Sequence, residues 1–449
     1  MHPHAARALL ERVSASLESL ESDNNLLSGI GWPRDVEERF FANGANALPD
    51  PTYEVDRATF NRQNAELARL ACEIEGDEPI PTWLRAVVEG AIDRNRLLLA
   101  RGTREFGRLS VEIYGGASTQ FFGLAATNAG LADHVLRRLR IHGWDEAQDR
   151  EARVLSATDL QEDLARRASK HRPHLGLEVV LDDRCASKAI AGATRVRIRP
   201  DATFEAWEAD GLYCHEVETH VFSARNGAAQ PLASFLRAGG PRTTPTQEGL
   251  AVFGELYNHA LASPRLERLA TRVKTVEMAE ERATFLDVYR YLLGKGYGEH
   301  DAFLDAARVF RGGLCEGGSA FTKDACYLAG LLHVYAFLAA FVRGGFRDEV
   351  ELLLVGRVAL DDLLALMELR AMGLLERPKH RPRWLERWNR LLPYFAFASF
   401  LEKEIDLASV SAHYREAVER ASAARPPGPH REPHAEAPSE GEPGDAKIG

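Results

Sequence analysis

Two histidines five positions apart, His215 and His220, place the hardest constraint on how this chain folds. On an ideal α-helix, residues i and i+4 lie about 40° apart, but i and i+5 lie about 140° apart. Both imidazoles reach one point only if the helix accommodates an extra residue, and a π-turn does this. The spacing therefore predicts a π-type turn within 215–220. Glu216 then faces the same point, and Glu218 turns to a different face. Phe204 to Ala209 reads as the opening of this helix and Asn226-Gly227 as its stop.

Downstream, Thr243-Thr244-Pro245-Thr246 is a turn with an N-cap, and Gln247-Glu248-Gly249-Leu250-Ala251 enters a second helix. Glu248 is expected in its first turn, where the helix dipole favours a carboxylate that can face the first helix. Two imidazoles and a carboxylate are the donor set of a catalytic zinc, which leaves a fourth position for water. His215, His220 and Glu248 are thus the expected ligands of a single Zn2+. Glu216 is placed to take the proton of its water, a general-base role worth roughly 10²–10⁴ in rate. A di-iron bundle would need Glu three residues before a histidine, and no histidine in this chain has one. Cys214 points about 100° away from its neighbour on a helix and reads as a buried thiol.

Peptide hydrolysis at such a centre needs a second electrophile. Tyr327, four residues beyond Lys323 and so on the same helical face, is the candidate, with a packed core tyrosine as the alternative. A substrate that carried a free carboxylate would also require a cation to hold it. Arg311, before Gly312-Gly313, and Lys323, at the entry to an apolar helix, are candidates, and Arg242 is a third; ordinary ion pairs are the alternative. Asn226 is a candidate for holding substrate backbone, although helix capping explains it equally well.

At these residues the sequence resembles the QEGLA-motif family, whose animal members are the microtubule-associated tyrosine carboxypeptidases. The likeness spans roughly residues 25–400 and includes Gly31-Trp32-Pro33, Tyr114-Gly115-Gly116, Arg311-Gly312-Gly313 and Thr322-Lys323-Asp324 beside the two metal motifs. It implies that His215, His220 and Glu248 bind zinc and that Glu216 is the catalytic carboxylate. It also implies an exopeptidase that removes a C-terminal aromatic, tyrosine-like residue; the animal enzymes act on α-tubulin. Glu218 departs from the pattern, standing where a small residue is expected, and bears on pocket shape rather than metal binding.

A net charge of −10 argues against nucleic acid as a partner, because phosphate binding needs a basic surface. It also opposes docking of an acidic peptide tail unless a local basic groove exists. Five scattered cysteines suit a reduced, cytoplasmic protein, and the N-terminus lacks the layout of a signal peptide. Ala325–Val342 is long and apolar enough to approach a membrane span, but is expected to be a buried core helix, with no membrane association.

The expected fold is α+β and mostly helical, with a small mixed sheet beside a zincin/gluzincin-like active-site helix. Residues 1–105 read as an N-terminal helical region, 106–420 as the catalytic domain and 421–449 as a disordered tail. Ala58–Ile74, Trp83–Arg101 and Gly123–Arg140 have helical periodicity; Leu109–Tyr114, Leu177–Asp182 and Arg195–Arg199 alternate like strands. An edge strand just upstream of the histidines is expected to hold the substrate by strand addition. Oligomeric state is left open. Two other functions also stay open at this stage: a zinc endopeptidase or aminopeptidase, and a non-enzymatic regulatory or binding protein with a structural zinc.

Overall fold

The computed structural model describes residues 1–404 apart from 21–25, 122–125, 142–153, 173, 184, 186–187 and 193. The expected disordered tail lies outside the described residues. Met1–Phe395 forms one compact unit and Ala396–Gly449 a second. The first unit is α+β and mostly helical, and its five cysteines are free thiols.

Two helices cross at its centre, Thr244–Tyr257 and Cys326–Arg343. The crossing is close because both contribute glycine: a Cβ on Gly249 would lie 2.3 Å from the Gly330 carbonyl oxygen, and one on Gly330 would lie 2.2 Å from that of Pro245. The glycine of the Q-E-G-L-A segment therefore serves packing. Around this crossing Leu250, Phe253, Val334 and Leu338 join Trp384 and Leu385 in the largest core. The N-terminal helix Pro3–Leu20 adds Ala6, Leu10 and Val13 to the same core. The apolar helix, with the turn before it, is long and apolar enough by composition to cross a membrane. Here Tyr327, Leu328, Val334, Leu338 and Val342 are buried within the protein.

Five short strands lie just upstream of and at the start of the histidine helix. β1 (Val154–Ser156) pairs antiparallel with β5 (Thr203–Glu205), and β2 (Glu178–Leu181), β4 (Arg195–Ile198) and β3 (Ala189–Ala191) form a mixed sheet in that order. β2 and β4 match two expected strands. The edge strand near the histidines is β3, which sequence alternation does not reveal because it has only three residues. Phe204 is a correction: it lies in β5 opposite Leu155, so tertiary pairing overrides the local helical pattern. The helix starts after it, with the Glu208 carboxylate accepting from the Glu205 amide at 2.9 Å.

Leu109–Tyr114 is a second correction. It belongs to the helix Arg104–Tyr114, whose buried Phe106, Leu109, Ser110 and Tyr114 recur at helical spacing. The alternation of Leu109, Val111 and Ile113 competes with that stripe, and Val111 is left exposed. The helix expected from Gly123 begins at Asn128 instead. The expected helices near 58–74 and 83–101 are found at Arg57–Glu73 and Pro79–Leu99.

Candidate metal centre and active site

The helix from Ala206 to Ala228 changes hydrogen-bonding pattern midway: Tyr213–Val221 is a π-helix flanked by α-helical segments. Its wider turn brings residues i and i+5 onto one face, as the histidine spacing predicted. The His215 and His220 rings lie 4.9 Å apart, nearly perpendicular. Thr219 reinforces the turn by donating its hydroxyl to the Cys214 carbonyl at 3.1 Å. The helix ends at Ala228, one residue beyond the expected Asn226-Gly227 stop. A Cβ on Gly227 would lie 2.2 Å from the Leu236 carbonyl, so this glycine permits close backbone approach.

Glu248 is the fifth residue of its helix, one turn deeper than expected, and completes the cluster. Its Oε2 lies 3.3 Å from His215 Nε2 and 3.5 Å from His220 Nε2. The three donor atoms fall within 4.8 Å of one another. A tetrahedral ion with donors at about 2.0–2.1 Å holds those donors about 3.3–3.4 Å apart. The fit is strengthened by Glu248 Oε2 itself, which is buried without a hydrogen-bond partner. These residues are therefore suited to hold one zinc ion. Among the described residues the cluster has three members, and a tetrahedral ion held by them would have a fourth position for a small ligand.

A second set of residues holds the donors in place. His215 Nδ1 bonds Glu255 Oε1 at 2.7 Å, which leaves Nε2 for the centre. Glu255 in turn accepts from Arg265 at 3.1 and 3.3 Å. Lys323 Nζ donates to Glu248 Oε1 at 2.9 Å and to the Tyr327 hydroxyl at 3.0 Å. Burial disfavours a charge on Glu248, but Lys323 and the two histidines hold its carboxyl well below the usual range. Burial likewise opposes the Lys323 charge, and Glu248 outweighs it. Sequence reasoning missed Glu255. It lies seven residues after Glu248, two turns along the same helical face, and that spacing is the signal that could have found it.

The centre opens into a cavity of about 680 Å³ lined by Glu216, Tyr327, Lys323 and Arg311. Leu26, Leu27 and Arg94 line it from the N-terminal part of the chain, and Ala189 to Gly192 bring the β3 edge to it. Twelve of its lining residues are Lys or Arg and six are Asp or Glu, the reverse of the chain's overall balance. Arg311 is buried, with its cation over the Phe321 ring and its Nε unpartnered. Burial and the neighbouring Arg308 push its guanidinium down to about 10. The turn after it needs glycine: Gly312 has φ 80°, and a Cβ there would lie 2.4 Å from Phe106.

Other candidates are placed elsewhere. Arg242 forms a two-pronged pair with Asp362 at 2.6 and 2.9 Å and does not line the cavity. Asn226 donates to the Leu354 and His380 carbonyls and accepts from the His380 amide, so it ties helix to loop rather than facing substrate. Glu218 accepts from Arg383 at 2.8 Å on the face away from the centre, beside Cys214. It does not line the cavity. Lys323 lies in the cavity, but its ammonium is already engaged by Glu248, which fits it for holding the ligand more than for gripping a substrate.

No curated protein matches this chain. A family model described as microtubule-associated tyrosine carboxypeptidase matches residues 38–403, which include every residue of the centre and most of the cavity wall. The chain belongs to the microtubule-associated tyrosine carboxypeptidase family.

Proposed function

We propose that this protein is a zinc-dependent carboxypeptidase that removes an aromatic, tyrosine-like residue from the C-terminus of an acidic peptide or protein segment. The observation that carries this reading is one cavity whose lining holds both a three-donor cluster and a buried arginine with an unpartnered Nε. A zinc ion held by His215, His220 and Glu248 in a zincin-like site would supply Lewis acidity. Glu216 takes a proton from the attacking water and delivers it to the departing amine. Arg311 receives the terminal carboxylate, which gives exopeptidase cleavage. The Tyr327 hydroxyl, oriented by Lys323, offers a hydrogen bond to the substrate. The edge of β3 offers backbone groups to an extended chain. The excess of basic residues on the wall favours acidic residues before the scissile bond, a preference the negative net charge alone would oppose.

Mass spectrometry of zinc-loaded protein with a peptide library in free and amidated forms tests this. Single-residue loss from free C-termini, fastest for acidic peptides ending in tyrosine, is expected. Internal cuts would identify an endopeptidase. Intact peptides alongside stoichiometric zinc would leave a binding protein.

A further inference from the structure

Another of the arginines that line the cavity, Arg357, belongs to neither motif. Arg357 follows a junction where three backbone segments touch. A Cβ on Gly356 would lie 2.5 Å from Leu236 Cβ, and one on Gly227 would lie 2.2 Å from the Leu236 carbonyl oxygen. The Arg357 amide donates to that same carbonyl at 2.7 Å. Arg357 is thereby fixed against the helix that carries Glu216 and His220. Its side chain runs along Gly239, where a Cβ would lie 3.0 Å from Nη1, and its Nε is buried without a partner. No described residue forms a hydrogen bond or ion pair with its guanidinium. The nearby charges that act on it are Glu248 and Glu216, whereas Arg311 is influenced by Arg308, Asp324 and Tyr327. Arg357 lies against Gly239, with its neighbour Gly356 packed on Gly227, whereas Arg311 stacks over Phe321, so the two occupy different parts of the wall.

We propose that Arg357 is a catalytic residue that stabilises the oxyanion of the tetrahedral intermediate; this rests on the peptidase reading above. A substrate carboxylate resting on Arg357 would stand beside Glu216 and be repelled by it. An anion that forms only as Glu216 is neutralised meets no such penalty. In the addition step the water oxygen bonds to the carbonyl carbon, one water proton moves to Glu216, and the carbonyl π pair moves onto oxygen. One negative charge thus leaves Glu216 and appears on the substrate oxygen, within the field of the same guanidinium. On collapse the carbon–nitrogen bond breaks, the carbonyl re-forms, and the Glu216 proton passes to the amine. A rigid donor aimed at charge that develops during reaction is what lowers a barrier without tightening substrate binding.

Arg357→Met and Arg357→Lys, each loaded with zinc, test this on a free peptide ending in tyrosine and on its phosphinic analogue, which mimics the tetrahedral species. Arg357→Met is expected to lower kcat about 10²–10³-fold with KM and zinc content unchanged, the usual effect of losing one oxyanion donor. The phosphinic peptide should bind correspondingly more weakly by calorimetry, while the substrate peptide binds the Glu216→Gln and Glu216→Gln/Arg357→Met proteins equally. Arg357→Lys should recover part of kcat. If Arg357→Met folds poorly, the Lys variant and the phosphinic titration decide. Unchanged kcat, or a loss confined to KM and to free-carboxylate peptides, overturns the assignment while the peptidase reading stands. A wild type that binds zinc and cleaves no peptide sinks both.

Discussion

The two walls of the cavity differ in how far their polar groups are satisfied from within the chain. On the side of the histidines Glu255 and Arg265 hold His215 and Lys323 holds Glu248, although His220 Nδ1 and Glu248 Oε2 are buried without partners. On the substrate side Arg311 and Arg357 are buried or nearly so, and each has an unpartnered Nε. Charged groups taken out of water without a partner are expensive. Two such groups in one cavity are suited to negative charge that the chain itself does not supply, whether it arrives with a ligand or develops on one. On the proposed function the first wall is ordered largely by the fold, and the second would be completed by substrate.

Substitutions that separate the walls can break this contrast. The largest effect is expected from Glu216→Gln, which should lower kcat by roughly 10²–10⁴ and retain zinc; substantial residual turnover would remove Glu216 from the base role. Next, Glu255→Gln should weaken zinc affinity about 10–100-fold through the loosened His215, measured by competition with a chelator, with little change in preference among peptides. Arg311→Met should do the opposite. It should keep zinc and lower kcat/KM roughly 10–100-fold for free carboxylates, the scale of a hydrogen bond to a charged group, and spare amidated peptides. Equal losses on both peptide forms would show that Arg311 does not hold the carboxylate.

Arg242→Met sharpens the contrast from outside the cavity. It leaves the carboxylate of Asp362 buried and unpaired, so the melting temperature should fall while the ratio of free to amidated turnover stays fixed. The smallest effect concerns pH. Burial raises the Asp324 carboxyl, but Arg308 and Arg272 outweigh it and hold it well below its ordinary 3.8. Its folded value is the lower one, so its contribution is complete above the unfolded value and lost as pH falls through the folded one. Asp324→Asn should therefore flatten the acid limb of a stability-versus-pH curve, and an unchanged limb would show that the pair is not coupled to folding.

The clustering of His215, His220 and Glu248 was legible in the sequence because its information is local. His215 and His220 declare an i, i+5 problem that only a π-turn solves, and Glu248 lies in a short, distinctive segment. Glu255 was readable by the same rule of helical spacing. The substrate side was only half legible. Arg311 is flagged by the glycines that follow it, but Arg357 reaches the cavity through contact with Leu236 and Gly227, more than a hundred residues earlier in the chain. No local pattern carries such a contact. The same limit explains Phe204, whose helical surroundings yield to pairing with Leu155, and Arg242, whose partner Asp362 is equally remote in sequence. Three-residue strands such as β3 are too short for alternation to mark them.

The centre itself is tested most directly by metal analysis of purified protein beside His220→Ala. One equivalent of zinc in the wild type is expected, with X-ray absorption showing two imidazole nitrogens and oxygen donors, and little or none in the variant. Undiminished zinc in His220→Ala, or a wild type that takes up no zinc under saturating conditions, would contradict the proposed centre.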